Sequence, residues 1–121
     1  MNGLALTTVS IARIDALRAR YGPRFSERWF TELERAYCEP RRLAGQHYAA
    51  RLAAKLATRR LLGAVRLREI EIVRDEAGAP SLRLHGRAEI RGEGARLHVS
   101  LSHDGGVAVA LVVGESTGEL A

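Results

Sequence analysis

His103 and Asp104 stand immediately before Gly105 and Gly106, so a tight turn there displays an imidazole beside a carboxylate. Such a pair can move a proton, because histidine changes charge close to neutral pH. The other reading is a plain turn, with Asp104 closing an Asx-turn onto its own backbone. A second constellation lies upstream. Arg51, Lys55, Thr58 and Arg59 fall at i, i+4, i+7 and i+8, and share one stripe if residues 49–63 are helical. Alanine and leucine dominate that stretch, no proline interrupts it, and Gly63 stands where a C-cap is wanted. Like charges four apart destabilise a helix by roughly 0.2–0.5 kcal/mol each. A bound anion relieves them, and so does simple solvation of a basic face.

The remaining elements must hold these groups. Residues 4–9 read as a first strand, and Ser10 as the N-cap of a helix over residues 11–20. Ile11, Ile14 and Leu17 recur at helical spacing and face the core. Thr31 followed by Glu34 is a capping box for a short helix, with Trp29, Phe30 and Leu33 as core candidates. Pro40 separates it from the long helix, expected over about residues 41–62. Residues 70–73 and 81–85 alternate around turn chemistry at 75–80, a hairpin; residues 86–94 read as a short helix or a loop. Residues 97–104 and 107–113 form a second hairpin, and 114–121 a frayed tail. Pattern alone gives an α+β domain with a meander-like antiparallel sheet.

At 121 residues the chain is expected to be one domain. Its net charge is +5, and Lys55 is the single lysine among 19 basic residues. A basic surface suits an acidic partner or a phosphate-bearing ligand. Aromatics are only 5% and do not interleave with the basic residues, which argues against nucleic acid. No apolar run is long enough to span a bilayer and no signal segment is evident, so no membrane role is expected. The lone Cys38 excludes a disulfide framework and reads as a half-buried structural thiol in a cytoplasmic protein. The four histidines lack zinc-site spacing; His85 and His98 read as structural, while His47, placed before the long helix, could line a pocket.

Residues 51–57, Arg-Leu-Ala-Ala-Lys-Leu-Ala, resemble the arginine-aromatic-alanine-alanine-lysine-glutamate-alanine signature of the holo-acyl-carrier-protein synthases, the small 4′-phosphopantetheinyl transferases. Ile11-Ala12-Arg13-Ile14, the block 25–38 and the strand end 99–104 carry the resemblance across residues 4–113. It implies the α+β transferase fold, an antiparallel sheet packed on a long helix, and a homotrimer with sites between subunits. It implies that Arg51, Lys55, Arg60, Ser100 and Ser102 contact coenzyme A or its phosphopantetheine arm. It makes His103 and Asp104 the catalytic candidates, and Arg13, Arg20 and Arg24 the surface for an acidic acyl carrier protein. The family's two magnesium carboxylates fall on Thr7 and Leu56. Magnesium is therefore not expected here.

From these two replacements the expected function is a repurposed biosynthetic enzyme. It would keep the fold and carrier recognition, lose magnesium-dependent transfer, and act on a carrier-tethered polyketide or peptide intermediate. Two alternatives stand beside it. One is a functional transferase with altered metal use, through Asp104 or Glu71. The other is a non-catalytic carrier-binding relative.

Overall fold

The computed structural model of the chain describes residues 2–117. Strand β1 (Gly3–Ser10) turns Ala5, Thr7 and Val9 inward and leaves Leu4, Leu6 and Thr8 exposed, the alternation of a half-buried strand. Ser10 ends it and caps α1 (Ile11–Tyr21), its Oγ accepting the Arg13 N–H at 3.2 Å. Gly22, at φ 57°, makes the corner that only glycine adopts without strain, and Pro23 opens α2 (Pro23–Trp29). The expected capping box starts α3 (Glu32–Cys38): Thr31 Oγ1 accepts the Glu34 N–H, and the Glu34 carboxylate accepts the Thr31 N–H at 2.9 Å.

The long helix α4 (Ala44–Leu62) begins three residues later than expected, because the Arg41 N–H bonds Cys38 O in a turn instead. β2 (Ile70–Arg74) and β3 (Pro80–Leu84) form a hairpin whose turn is closed by Asp75 Oδ1, which accepts from Ala77 N and Ala79 N. The open choice at 86–94 resolves as a one-and-a-half-turn helix, α5 (Gly86–Arg91). β4 (Ala95–Asp104) and β5 (Val107–Ser116) complete the chain.

The sheets differ from the expected single meander. β1, β5 and β4 form one antiparallel sheet in the order β1-β5-β4, and β2-β3 is a separate ribbon. The expected tail is also shorter: residues 114–116 continue β5, with Gly3 opposite Gly114 and Ala95 opposite Ser116. Residues 118–121 of that tail lie outside the described residues.

The result is an α+β fold in which α4 is enclosed by β1, β4 and β5, by α1 and α3, and by β2. Ala53, Ala54 and Ala57, all fully buried, let the sheet approach the helix closely. Phe30 and Tyr48 are fully buried and meet edge to face at 4.8 Å. Trp29 is half-buried, whereas Leu33 is 60% exposed, not the core residue expected. On the outer sheet face Leu4, Leu6 and Val113 are exposed, and Leu4–Val113 and Leu6–Leu111 are paired across β1 and β5, so an apolar surface is uncovered in the single chain.

Thr31 carries a second bond, its hydroxyl donating to Glu71 at 2.5 Å. Thr31→Ala removes a cap as well as this bond, and is expected to lower the unfolding free energy by about 1–2 kcal/mol, read from the urea midpoint. Burial raises the Glu71 carboxyl, but the bonds from Thr31 and His85 and the charges of His85 and Arg83 more than offset it and hold it below the ordinary carboxylate range. Its stabilisation is thus full above that range and lost as pH falls through the lowered value.

Candidate active site

α4 passes the end of β4 and the start of the β2–β3 turn, and a recess of about 160 Å³ lies between them. His47 and Arg51 enter it from α4, Ser102 and His103 from β4, and Arg74 from β2. The Gln46 amide nitrogen lies 2.9 Å from His103 Nε2. With the amide donating, Nε2 accepts and the imidazole proton sits on Nδ1. The β4–β5 turn that carries His103 and Asp104 is tied to the start of α1 by the Ile11 N–H bonding Gly106 O at 2.9 Å.

One wall of the recess continues into a basic cluster around Tyr37. The guanidinium carbons of Arg41, Arg51 and Arg74 lie 3.5, 4.1 and 5.2 Å from the ring centroid. Arg74 Nε also donates to the Tyr37 hydroxyl at 2.8 Å, and the His47 ring stands edge-on at 5.6 Å. Burial raises the Tyr37 phenol, but Arg74 and Arg41 outweigh it and leave it below its ordinary value. Burial, together with the positive charges of Arg51, Arg41 and Arg74, lowers His47. Arg51 is only 3% exposed, and its Nε is buried without a partner.

The expected basic stripe on α4 is not a surface. Arg51, Lys55 and Thr58 are all buried, and only Arg59 is exposed. Lys55 corrects its assignment as a coenzyme A ligand. It is fully buried, paired with Glu34 at 2.5 Å, and donates to Trp29 O at 2.8 Å and Leu67 O at 3.1 Å. An ammonium has three donors, and all three are satisfied within the fold. Thr58 Oγ1 returns a bond to Ala54 O.

The recess gathers Arg51, Ser102 and His103 and leaves the other named residues elsewhere. Arg60 is exposed at the end of α4 and donates to Leu6 O at 3.2 Å. Ser100 is exposed on the outer sheet face, opposite Leu111. Asp104 is exposed at the turn opposite Val107. Arg13 and Arg20 are exposed on α1, Arg20 lying over the Tyr21 ring, while Arg24 flanks an apolar groove floored by Leu17 and Trp29.

Thr7 faces inward on β1 with its hydroxyl buried and unpartnered; Leu56 packs half-buried against the core that holds Leu52 and Tyr48. Among the described residues no three His, Cys, Asp or Glu side chains converge to hold a metal. Cys38 is fully buried, and burial pushes its thiol up to about 11, which leaves it unreactive. His47 lies within α4, not before it. His85 bonds Glu71 and His98 bonds Glu115, both at 3.1 Å.

Sequence reasoning missed Tyr37, Arg41, Arg74 and Gln46. They come from three elements and the turn between α3 and α4, and only folding brings the hairpin arginine onto a ring of α3. Nothing local marks them out, since arginine is common throughout the chain.

Fold and recess define a class: an α+β domain whose long central helix carries an uncompensated basic cluster to a sheet edge. No family model matches the chain. The holo-[acyl-carrier-protein] synthase of Anaeromyxobacter dehalogenans strain 2CP-1 is 46% identical over 126 residues, covering 96% of this chain and 97% of that protein. That of Geobacter sulfurreducens is 43% identical over 120 residues, covering 92% and 94%. The crystal structure of the Neisseria meningitidis holo-[acyl-carrier-protein] synthase superposes with a TM-score of 0.85 at 27% identity, over 94% of this chain and 98% of that one. The Helicobacter pylori synthase, solved in complex with coenzyme A, gives 0.81 at 27% identity, over 93% and 100%. The chain belongs to the holo-[acyl-carrier-protein] synthase family.

These relatives overturn the expected repurposed enzyme. Chains alike over almost their whole length are named as the ordinary synthase, and that favours the transferase alternative. The residues at positions 7 and 56 are too local a feature to outweigh it.

Proposed function

We propose that this protein is a 4′-phosphopantetheinyl transferase, moving phosphopantetheine from coenzyme A to a serine of an acyl carrier protein. The observation that carries the reading is the near full-length likeness to synthases at 46% and 43% identity. In the transfer the serine oxygen forms a bond to the β-phosphorus of coenzyme A. The bond from that phosphorus to the bridging oxygen breaks, and 3′,5′-ADP leaves. Catalysis of this kind is positioning plus stabilisation of spreading negative charge. Arg51 and Arg74 supply positive charge in the recess. His103 takes the serine proton at Nε2, the serine hydroxyl displacing the Gln46 amide from that lone pair.

The family's metal does not fit the residues of this chain. Magnesium takes oxygen ligands, usually one or two carboxylates with phosphate and water. Thr7 offers one neutral hydroxyl and Leu56 a hydrocarbon, so this member lacks both acids of the resemblance. No step is therefore routed through a metal. The apolar outer sheet face with Leu4, Leu6 and Val113 supports association between copies of the chain, for which the resemblance implies a homotrimer. No helix among the described residues is long and apolar enough to cross a membrane.

Incubation with coenzyme A and candidate apo carrier proteins should add the phosphopantetheine mass to the carrier, and His103→Gln should slow the addition. No added mass on any carrier would overturn the reading. Arg13 sits on exposed α1 beside the turn that bears His103. Arg13→Glu is expected to weaken carrier binding about tenfold at low salt, with the gap closing as salt rises. Equal affinities at low salt would remove α1 from the docking surface.

A further inference from the structure

Among the described residues, four charged side chains are buried, Glu34, Arg51, Lys55 and Glu71, and three of them are paired; the half-buried Arg35 also leaves its Nε without a partner. Lys55 meets Glu34, and Glu71 meets Arg83 and His85. Arg51 is as deeply enclosed, yet no carboxylate or carbonyl among the described residues accepts from it, and its Nε is buried and unpartnered. A buried charge is unfavourable unless it is paired. The neighbours deepen the deficit. Arg41 and Arg74 share the Tyr37 ring with Arg51, and neither forms an ion pair among the described residues. Their only hydrogen bonds there are to Tyr37 and to the carbonyl of Gly78. The recess beside them, of about 160 Å³, has room for phosphoryl oxygens.

The charge count at Thr7 and Leu56 points the same way. Two carboxylates and one divalent cation sum to zero. A hydroxyl and a hydrocarbon with no cation also sum to zero. Retaining the cation without the acids would add two positive charges, with no anionic protein ligand, to a domain whose Tyr37 cluster already holds three guanidiniums without an ion pair among the described residues. The orphan hydroxyl of Thr7 is one neutral oxygen and cannot balance a divalent ion.

We propose that the protein binds the diphosphate of its donor through guanidinium groups alone, Arg51 at the centre with Arg74 and Arg41 beside it, and without a divalent cation. Planar guanidinium forks match phosphate oxygens bidentately, so they can replace a metal in holding and neutralising them. The identity of the donor as coenzyme A rests on the proposed transferase function; the metal-free anion site does not.

The test is calorimetric titration of the full chain with coenzyme A, and separately with inorganic pyrophosphate, in excess EDTA and in millimolar magnesium chloride. The dissociation constant for coenzyme A should agree within about twofold between the two conditions. Arg74→Gln, at an exposed position where folding is not at risk, should weaken both ligands about tenfold in both conditions. Thr7→Asp combined with Leu56→Glu should make coenzyme A binding depend on magnesium. Binding at least tenfold weaker in EDTA, or undiminished by Arg74→Gln, would overturn the proposal. So would pyrophosphate failing to bind in either condition. Metal-free binding of pyrophosphate without any mass added to a carrier would leave this site standing and sink the transferase reading.

Discussion

Lys55→Met is expected to lower the unfolding free energy by about 3–5 kcal/mol, the effect of breaking one side of a buried ion pair. The pair lies where α3, α4 and the start of β2 meet. Glu34 reaches it from the capping box of α3 and also accepts the Ile72 N–H at 2.9 Å. The ammonium lies 4.9 Å from the Phe30 ring centroid and bonds two carbonyls besides its carboxylate. Taking it away strands Glu34 in the interior and frees two buried acceptors at once. Arginine will not restore the site, because its planar fork cannot place three donors on these acceptors. Glu34→Gln with Lys55→Met should be less harmful than the sum of the single changes, since the second removes the charge the first strands. Burial pulls the lysine below its ordinary value against the opposing Glu34 carboxylate. The folded chain then holds fewer protons than the unfolded one between the lowered value and the unfolded value, so stability rises with pH across that window. Lys55→Met should abolish that rise. Urea denaturation at several pH values reads both effects, and a loss below about 1 kcal/mol would show that the pair is dispensable.

Arg51→Met is expected to act in opposite directions on fold and ligand. Coenzyme A affinity should drop about a hundredfold, the scale of losing a desolvated charge contact. The ligand-free protein should become about 1–2 kcal/mol more stable, because an uncompensated buried charge is gone and a flexible apolar chain fills its place. The lost contact with the Tyr37 ring, about 1 kcal/mol, is already set against that gain. Gains of this kind with loss of function mark a residue kept for binding. Thermal or urea unfolding without ligand, paired with calorimetry, separates the two. A variant that is less stable and binds as before would show that Arg51 serves the core.

These two predictions fall on neighbouring positions of one helical stripe, which the sequence presents as a single basic face. Spacing does place Arg51 and Lys55 on one side of α4. It does not say what faces that side. The partner of Lys55 is Glu34, twenty-one positions earlier, and the surroundings of Arg51 come from α3 and β2. Both environments arise because α4 is enclosed on almost every side, which no helical period of its own announces. The same limit explains Arg60 and Ser100. Their motif positions are met, but one lies at the far end of α4 and the other on the opposite sheet face from His103.

What the chain order alone decided is local: the Ser10 cap, the Thr31–Glu34 box, the turn around Asp75, the glycine corner at 105–106 and the alternation of β1, β4 and β5. Each is settled by groups within a few residues of one another, so the interaction and its signature coincide. It also carried the family resemblance, a property of the whole pattern. Tertiary structure decided which charges are answered and which are left open. Electrostatic energy depends on distance through space and on burial, and both are set by segments far apart along the chain. For that reason Lys55 became a strut of the core, while Arg51, one turn away, was left facing a recess with its charge unmatched.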